Sequence, residues 1–200
     1  MGRIQSFDAD TVVRAARDLF WDRGYDRASL SDLEGATGLN RSSLYNAFGN
    51  KRGLFDAAVQ DYLDSVIRPR LAVLQSAAPN ESALLEYFEG LRRTVATLPK
   101  DSPRRGCLLV NCAAGLAGHD DPTRAVIEDY RAELAAALRF AIVSAGLGAE
   151  ADPAALEARV RTLASLSVSA MLISRVNRDE AVALLATAGA HINEWVGPRA

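Results

Sequence analysis

The chain is poor in the residues that many chemistries require. Its 200 residues include two cysteines, Cys107 and Cys112, and two histidines, His119 and His191. Two thiols cannot build a disulfide framework, and their separation is not that of a metal-ligand pair. On a regular helix, residues five apart point about 140° from each other. Both are therefore expected as small core side chains, with a thiol redox switch as the alternative. His119 precedes Asp120 and Asp121 in an expected loop, where simple solvation accounts for it. The chain also lacks a phosphate-cradling glycine loop, a nucleophile elbow and carboxylates clustered with histidine at helical spacing. No catalytic residue, metal ligand or cofactor is assigned on that basis. A thiol enzyme using Cys107 or Cys112 with His119 as base, and a protein-interaction adaptor, stand as the other classes. No apolar run reaches the ~18–20 residues of a membrane span, and the opening MGRIQSFDAD has no apolar signal core. A cytoplasmic location without a membrane partner is expected.

One further absence is local. No Asp or Glu occurs from Gly35 to Phe55, although 24% of the chain is charged and Arg41, Lys51 and Arg52 remain in that window. A polyanionic partner explains such an omission. The net charge of −2 argues against a protein that coats nucleic acid, but the charge is unevenly spread. Through Arg52, eight basic residues stand against seven acidic ones; the remainder carries fifteen against eighteen. A weakly basic unit joined to an acidic body suits local contact with DNA.

What occupies the acid-free window is a pair of short helices meeting at a corner. Ser29 or Ser31 caps the first, since a short side-chain oxygen accepts from free N–H groups of a first turn. Leu30, Leu33 and Ala36 then share one side. Gly38 sits where the chain must turn, and Asn40 caps a second helix with Leu44, Ala47 and Phe48 facing inward. Arg41, Ser42, Ser43, Tyr45 and Asn46 are left outward. Guanidinium, amide and hydroxyl groups suit guanine, adenine and phosphate oxygens respectively, so the pattern reads as a helix-turn-helix.

Residues 8 to 56 resemble the DNA-binding domain of the tetracycline-repressor (TetR) family of bacterial regulators. VVRAARDLFWDRGY at Val12 to Tyr25, SLSDLEGATGLNRSSLYNAF at Ser29 to Phe48, and Lys51, Leu54 and Phe55 carry the resemblance. Two positions depart from it: Ala47 stands where His or Tyr is usual, and Glu34 where a small apolar residue is usual. The resemblance implies a ligand-responsive regulator, of repressor type, that binds a palindromic double-stranded DNA operator as a homodimer and is released by a small-molecule effector. The DNA-contacting set is Ser29, Ser31, Asn40, Arg41, Ser42, Ser43, Tyr45, Asn46 and Lys51, with Arg41, Ser42 and Asn46 at the bases and Ser43, Tyr45 and Lys51 on phosphates.

The rest of the chain reads as helical throughout. The first helix spans about Asp10 to Arg23, with Val12, Ala16, Leu19 and Phe20 at helical spacing. Asn50 caps a fourth that continues to about Leu74 with Leu54, Phe55, Ala58, Tyr62 and Val66 as its stripe. Pro79-Asn80, Asp121-Pro122 and Asp152-Pro153 mark three further starts, because proline lacks the N–H that a first turn leaves unpaired. A short helix is expected from about Cys107 to Ala117 and a final one from about Arg178 to Trp195. The fold class is all-α with about nine helices: a three-helix DNA-binding domain over residues 1–52 and a helical ligand-binding and dimerisation domain over 53–200. Small residues dominate the last two long helices, at Ala164, Ser165, Ser167, Ser169 and Ala170 and at Ala181, Ala183, Ala186, Ala188 and Ala190. The resemblance implies that these helices form the homodimer interface. Expected effector-pocket residues are Tyr62, Phe88, Cys107, Leu108, Asn111, Cys112, Tyr130, Phe140, Met171 and Arg175. Arg175 is singled out as a cation at the end of an apolar helical run, suited to an anionic ligand, to the C-terminal dipole of that same helix or to a pair across the dimer.

Overall fold

The computed structural model describes residues 7–76, 81–113, 115–147 and 152–197, and every regular element among them is helical. Asp8 accepts the N–H of Asp10 at 3.2 Å and starts α1, Ala9–Arg23. Val12, Ala16, Phe20 and Trp21 are its buried face. The short helices α2, Leu30–Thr37, and α3, Arg41–Phe48, follow. Ala36 and Ala47 are exposed, contrary to the inward placement expected from spacing. In helices of eight residues, Leu33 and Leu44 suffice to anchor each one to the core.

Helix α4 is one rod with an irregular middle: Lys51–Tyr62 is α-helical, Leu63–Ile67 forms a π-turn, and Arg68–Leu74 resumes the α-helix. The wide turn is closed by the Arg68 N–H on the Leu63 carbonyl. It ends two residues before Pro69, which has no N–H to give and whose ring crowds the carbonyl four residues back, inside the turn. The irregular turn lets the two halves of the rod bury different faces. Leu54, Phe55, Ala58 and Tyr62 pack on α1, where Phe20 meets Phe55 edge-on at 5.2 Å and Trp21 meets Tyr62 at 4.8 Å. Beyond the π-turn, Leu71 and Leu74 join α5, Ser82–Thr97, and α7, Asp121–Ser144. The Pro79-Asn80 start signal lies outside the described residues.

Between α5 and α7 the expected helix over Cys107 to Ala117 is shorter: α6 covers Leu108–Ala113, and a 3-10 turn follows at Leu116–Gly118. Gly115 has φ −116 and ψ −83, outside the helical region, so the two pieces do not join. The cap of α7 is Asp120, whose carboxylate accepts the Thr123 N–H at 2.8 Å; Asp121 is the first helical residue and Pro122 the second. The expected cap Asp121 was thus one residue late. Asp152 caps α8, Pro153–Ile173, and Asn177 caps α9, Arg178–Val196. Counting the rod 51–74 once, nine α-helices are present among the described residues, and one continuous core runs from Phe20 and Leu44 to Leu185 and Ile192.

The small residues of α8 and α9 divide between two faces. Ser167, Ala170, Ala181 and Ala188 are buried within the protomer. Ser165, Ser169 and Leu172 on α8, and Ala183, Ala186 and Ala190 on α9, are exposed at helical spacing, and Val176 is exposed in the turn between the two helices.

Candidate nucleic-acid interface and the body that carries it

Local hydrogen bonds fix the α2–α3 corner. Ser29 Oγ accepts the Asp32 N–H at 3.1 Å while Asp32 Oδ2 accepts the Ser29 N–H at 3.0 Å, a reciprocal cap that settles the start of α2 on Ser29 rather than Ser31. Arg23 of α1 pairs with Asp32 at 2.6 Å. Gly38, at φ 71 and ψ 6, takes the left-handed conformation that stops α2 and donates its N–H to the Glu34 carbonyl at 2.9 Å. Thr37 Oγ1 donates to the Leu33 carbonyl at 2.6 Å and accepts the Leu39 N–H at 3.3 Å, which stiffens the corner from inside.

The start of α3 has two caps. Asn40 Oδ1 accepts the Ser43 N–H at 2.9 Å, and Glu34 Oε1 accepts the Arg41 N–H at 2.5 Å. Glu34, which departs from the family pattern, thus holds the entering end of α3 against α2. Its negative charge also lies at the positive end of the helix dipole.

Arg41, Ser42 and Asn46 are exposed; Ser43 and Tyr45 are half-buried. The Arg41 guanidinium lies over the Tyr45 ring, 5.3 Å from its centroid, so the two side chains form one platform. Lys51 Nζ sits 4.4 Å from the centre of the Tyr25 ring, and Tyr25 packs on Phe20 and Phe55. Partial burial moves the Lys51 ammonium below its ordinary pKa. Arg52 is committed elsewhere, at 2.6 Å from both Asp56 and Asp120. Ser29 and Asn40 use their side-chain oxygens as caps, whereas Ser31 is exposed on the first turn of α2. Spacing alone did not identify Tyr25, Glu34 or Thr37 as parts of this site; the Lys51–Tyr25 and Glu34–Arg41 contacts arise only once the helices pack.

The family model for bacterial regulatory proteins of the tetR family matches residues 12–58. A solved structure of the TetR-family regulator CifR, a cysteine variant complexed with 26-bp double-strand operator DNA, is 31% identical to this chain; the match covers 94% of this chain and 97% of that one at a TM-score of 0.77. The chain belongs to the TetR family. Among curated proteins, the transcriptional repressor ComR of Escherichia coli K12 is 39% identical over 111 residues, 55% of this chain and 51% of ComR, so the chain matches about half the length of that relative. The reduced form of E. coli NemR, at 18% identity and a TM-score of 0.76 over 92% of each chain, shares the fold.

The body of this TetR-family chain distributes the expected pocket residues among several places. Tyr62, Cys107, Tyr130 and Met171 do meet, around a space of about 10 Å³. Among the described residues the buried Tyr62 hydroxyl has no nitrogen or oxygen partner there, and it neighbours the Cys107 thiol. Asn111 and Cys112 line a separate recess of about 200 Å³ against Tyr25 and Asp26 of the reader. Leu108 is buried in the core, and Phe88, also buried, lines a recess of about 440 Å³ between α5 and α9 with Leu85 and Leu185. Phe140 is not a pocket residue: it is 50% exposed, because the buried stripe of α7 passes through Leu134, Ala137, Leu138 and Ala141 and leaves Phe140 off that face.

Arg175 is not aimed at a ligand either. Its guanidinium donates to the carbonyls of Trp21 at 3.1 Å, Asp22 at 2.8 Å and Arg105 at 3.3 Å. Two of these lie in the last turn of α1, whose unpaired carbonyls and negative dipole end attract a cation. The helix C-terminus that Arg175 serves is therefore that of α1 and not, as expected, that of its own helix. Trp21 Nε1 adds a bond to the Arg105 carbonyl at 3.1 Å, and Arg17, 6% exposed, joins Asp61 of α4 at 2.8 Å. Reader and body are held by these contacts as well as by the rod. Cys107 and Cys112 are free and buried, and burial pushes both thiols up, Cys112 to about 12. Both are therefore protonated near neutrality, which disfavours rapid thiolate chemistry in this conformation.

Proposed function

We propose that the chain is a transcriptional repressor that binds a palindromic DNA operator as a homodimer and is released by a small-molecule effector. The observation that carries this reading is the outward face of α3, where Arg41, Ser42 and Asn46 stand exposed in a segment without carboxylates. The relation to CifR, solved on operator DNA, and to the repressor ComR supports it. Residues 1–52 form the reader and 53–200 the body. Arg41, Ser42 and Asn46 read base edges. Ser43, Tyr45 and Lys51 bind phosphates, and Ser29, Ser31 and Asn40 bring the starts of α2 and α3 to the backbone.

Two half-sites one DNA turn apart require two readers. The exposed stripe Ser165, Ser169 and Leu172 on α8, with Val176 in the turn after it and Ala183, Ala186 and Ala190 on α9, supports the pairing of these helices with the same helices of a second copy. Small side chains allow close approach, and Val176 at 84% exposure gains most by being covered. The effector acts through the body on α4 and α1, changing the separation of the two α3 helices; operator must in turn weaken effector binding by the same factor.

Arg41→Ala and Lys51→Ala test the assignment. Arg41→Ala is expected to cost about 1–3 kcal/mol on the specific site and little on random DNA, whereas Lys51→Ala weakens all sequences and lowers the salt slope by about one. Equal effects of both substitutions on specific and random duplexes would overturn this division of roles.

A further inference from the structure

One recess in the body does not have the chemistry of a sealed core. Among the described residues four arginines line it, Arg70 of α4, Arg104 and Arg105 of the loop before α6, and Arg178 of α9, and no Asp or Glu does. Its remaining walls are largely apolar, with Leu91 and Val95 of α5 facing Met171 of α8. The space is about 30 Å³. That is the volume of one or two water-sized oxygens, the size of an anionic head group. Cations gathered around low-dielectric walls repel one another and focus a positive potential into the recess, which the Asp18 partner of Arg104 offsets only in part.

Two of the four are already engaged. Arg104 pairs with Asp18 at 2.7 Å, and Arg178 donates to the Leu98 carbonyl. Arg70 and Arg105 have no side-chain hydrogen bond or ion pair among the described residues, and the Nε of Arg105 is buried without an acceptor. A guanidinium has five N–H donors and no means of discharging, so a buried donor left open marks a place where an acceptor is missing.

We propose that this recess binds the carboxylate of an organic acid, with the head group on Arg70 and Arg105; because about 30 Å³ holds the head group alone, the apolar chain enters between Leu91, Val95 and Met171 by parting α5 from α8. The inference rests on the effector-released repressor reading and deepens it by naming the effector's chemical class. Planar guanidinium matches carboxylate in geometry as well as charge, and the apolar walls favour an acid with a hydrocarbon chain over a bare inorganic anion.

The same residues join the body to the reader. The carbonyl of Arg105 accepts from Trp21 Nε1 at 3.1 Å and from Arg175 at 3.3 Å, and Arg104 is the partner of Asp18. Trp21 and Asp18 belong to α1. A carboxylate that draws in the side chain of Arg105 and competes with Asp18 for Arg104 changes the contacts that orient α1. That gives bound anion and bound DNA a shared, reciprocal coupling.

The test uses the full chain, with acetate, butyrate and octanoate as probes and octanol and inorganic phosphate as controls, in titration calorimetry. Arg70→Gln and Arg105→Gln are compared with the wild type after unfolding curves establish that both fold. Saturable octanoate binding is expected, with no binding of octanol, phosphate weaker than octanoate, and at least about a tenfold loss in either variant. Octanoate should also lower affinity for a duplex selected from genomic fragments, and both variants should bind that duplex normally without it. No carboxylate binding, equal binding of acid and alcohol, equal binding of phosphate and octanoate, or full octanoate affinity in both variants would overturn the proposal. A chain that binds octanoate but no duplex refutes the repressor reading and leaves the site standing; one that binds the duplex but no carboxylate does the reverse.

Discussion

Replacing Gly53 by alanine would place a Cβ 2.1 Å from the carbonyl oxygen of Phe48, a backbone atom at the end of α3. The close approach follows from the turn between α3 and α4. Gly49, at φ 77 and ψ −53, makes a γ-turn in which the Asn50 N–H reaches back to the Phe48 carbonyl at 2.9 Å. Asn50 then caps α4 by accepting the Gly53 N–H at 2.9 Å, which holds Gly53 under that same carbonyl. Opening the contact from 2.1 Å to the 3.0 Å below which real Cβ atoms are essentially never found requires about 0.9 Å of movement between α3 and α4. Overpacking of this kind costs about 1–3 kcal/mol, and more where the obstructing atom is backbone. Because α3 carries Arg41, Ser42 and Asn46, the displacement should also cost at least about tenfold in specific affinity, the worth of one base-edge contact. Urea unfolding and fluorescence anisotropy with a selected duplex measure the two effects. Gly90→Ala is the control: Gly90 is exposed within α5 with nothing within 4 Å of an added Cβ, so the same change there should stabilise by about 0.5–1 kcal/mol. A Gly53→Ala protein that matches the wild type in both midpoint and affinity would refute the steric argument.

Arg175→Met should lower stability by about 1–3 kcal/mol, since it takes the guanidinium from the Asp22 carbonyl and leaves the carbonyls of Trp21 and Arg105 with only Asn111 Nδ2 and Trp21 Nε1; Arg175→Lys should recover only part, because an ammonium cannot reproduce the fork. Unchanged urea midpoints in both would mean that the contacts are dispensable. Arg52 holds the Asp120 carboxyl well below the usual carboxylate range, with Thr123 adding to it. A depressed folded-state value stabilises the protein above the unfolded carboxylate pKa of about 4 and is lost as pH falls below it. Melting temperature should thus drop less between neutral and acid pH in Asp120→Asn than in the wild type, and an identical drop would contradict this. Cys107 and Cys112, buried and held protonated, should react with a disulfide reagent at pH 8 only as fast as the native chain opens, while the urea-unfolded chain reacts at once. Immediate labelling of native protein would reopen a thiol switch.

The reader was legible because its signals are local. A serine cap, a glycine in the left-handed region and an asparagine cap each act within four residues, and the structure has all three at Ser29, Gly38 and Asn40. The missing acids from Gly35 to Phe55 were visible for the same reason. Orientation around short helices was less so: Ala36 and Ala47 fit an apolar spacing yet face outward, because an eight-residue helix needs one anchoring side chain and alanine is indifferent to which side it takes. The body was legible in its boundaries and not in its contacts. Asp152 and Pro153 announce α8, but the π-turn before Pro69 depends on what the two halves of α4 must cover. Arg175 illustrates the limit best. Its position at the end of an apolar run was evident, whereas its acceptors lie more than 150 positions away at Trp21 and Asp22 and become adjacent only on folding. The same holds for Arg70 and Arg105, which nothing in the sequence marks as neighbours.

The most direct measurement is selection of bound duplexes from genomic fragments of the source organism by the purified chain at near-physiological salt. Enrichment of one palindromic site, lost with Arg41→Ala and bound with two protomers or more per duplex, is the predicted result. Recovery of no sequence above background by a chain with an intact unfolding transition would contradict the account.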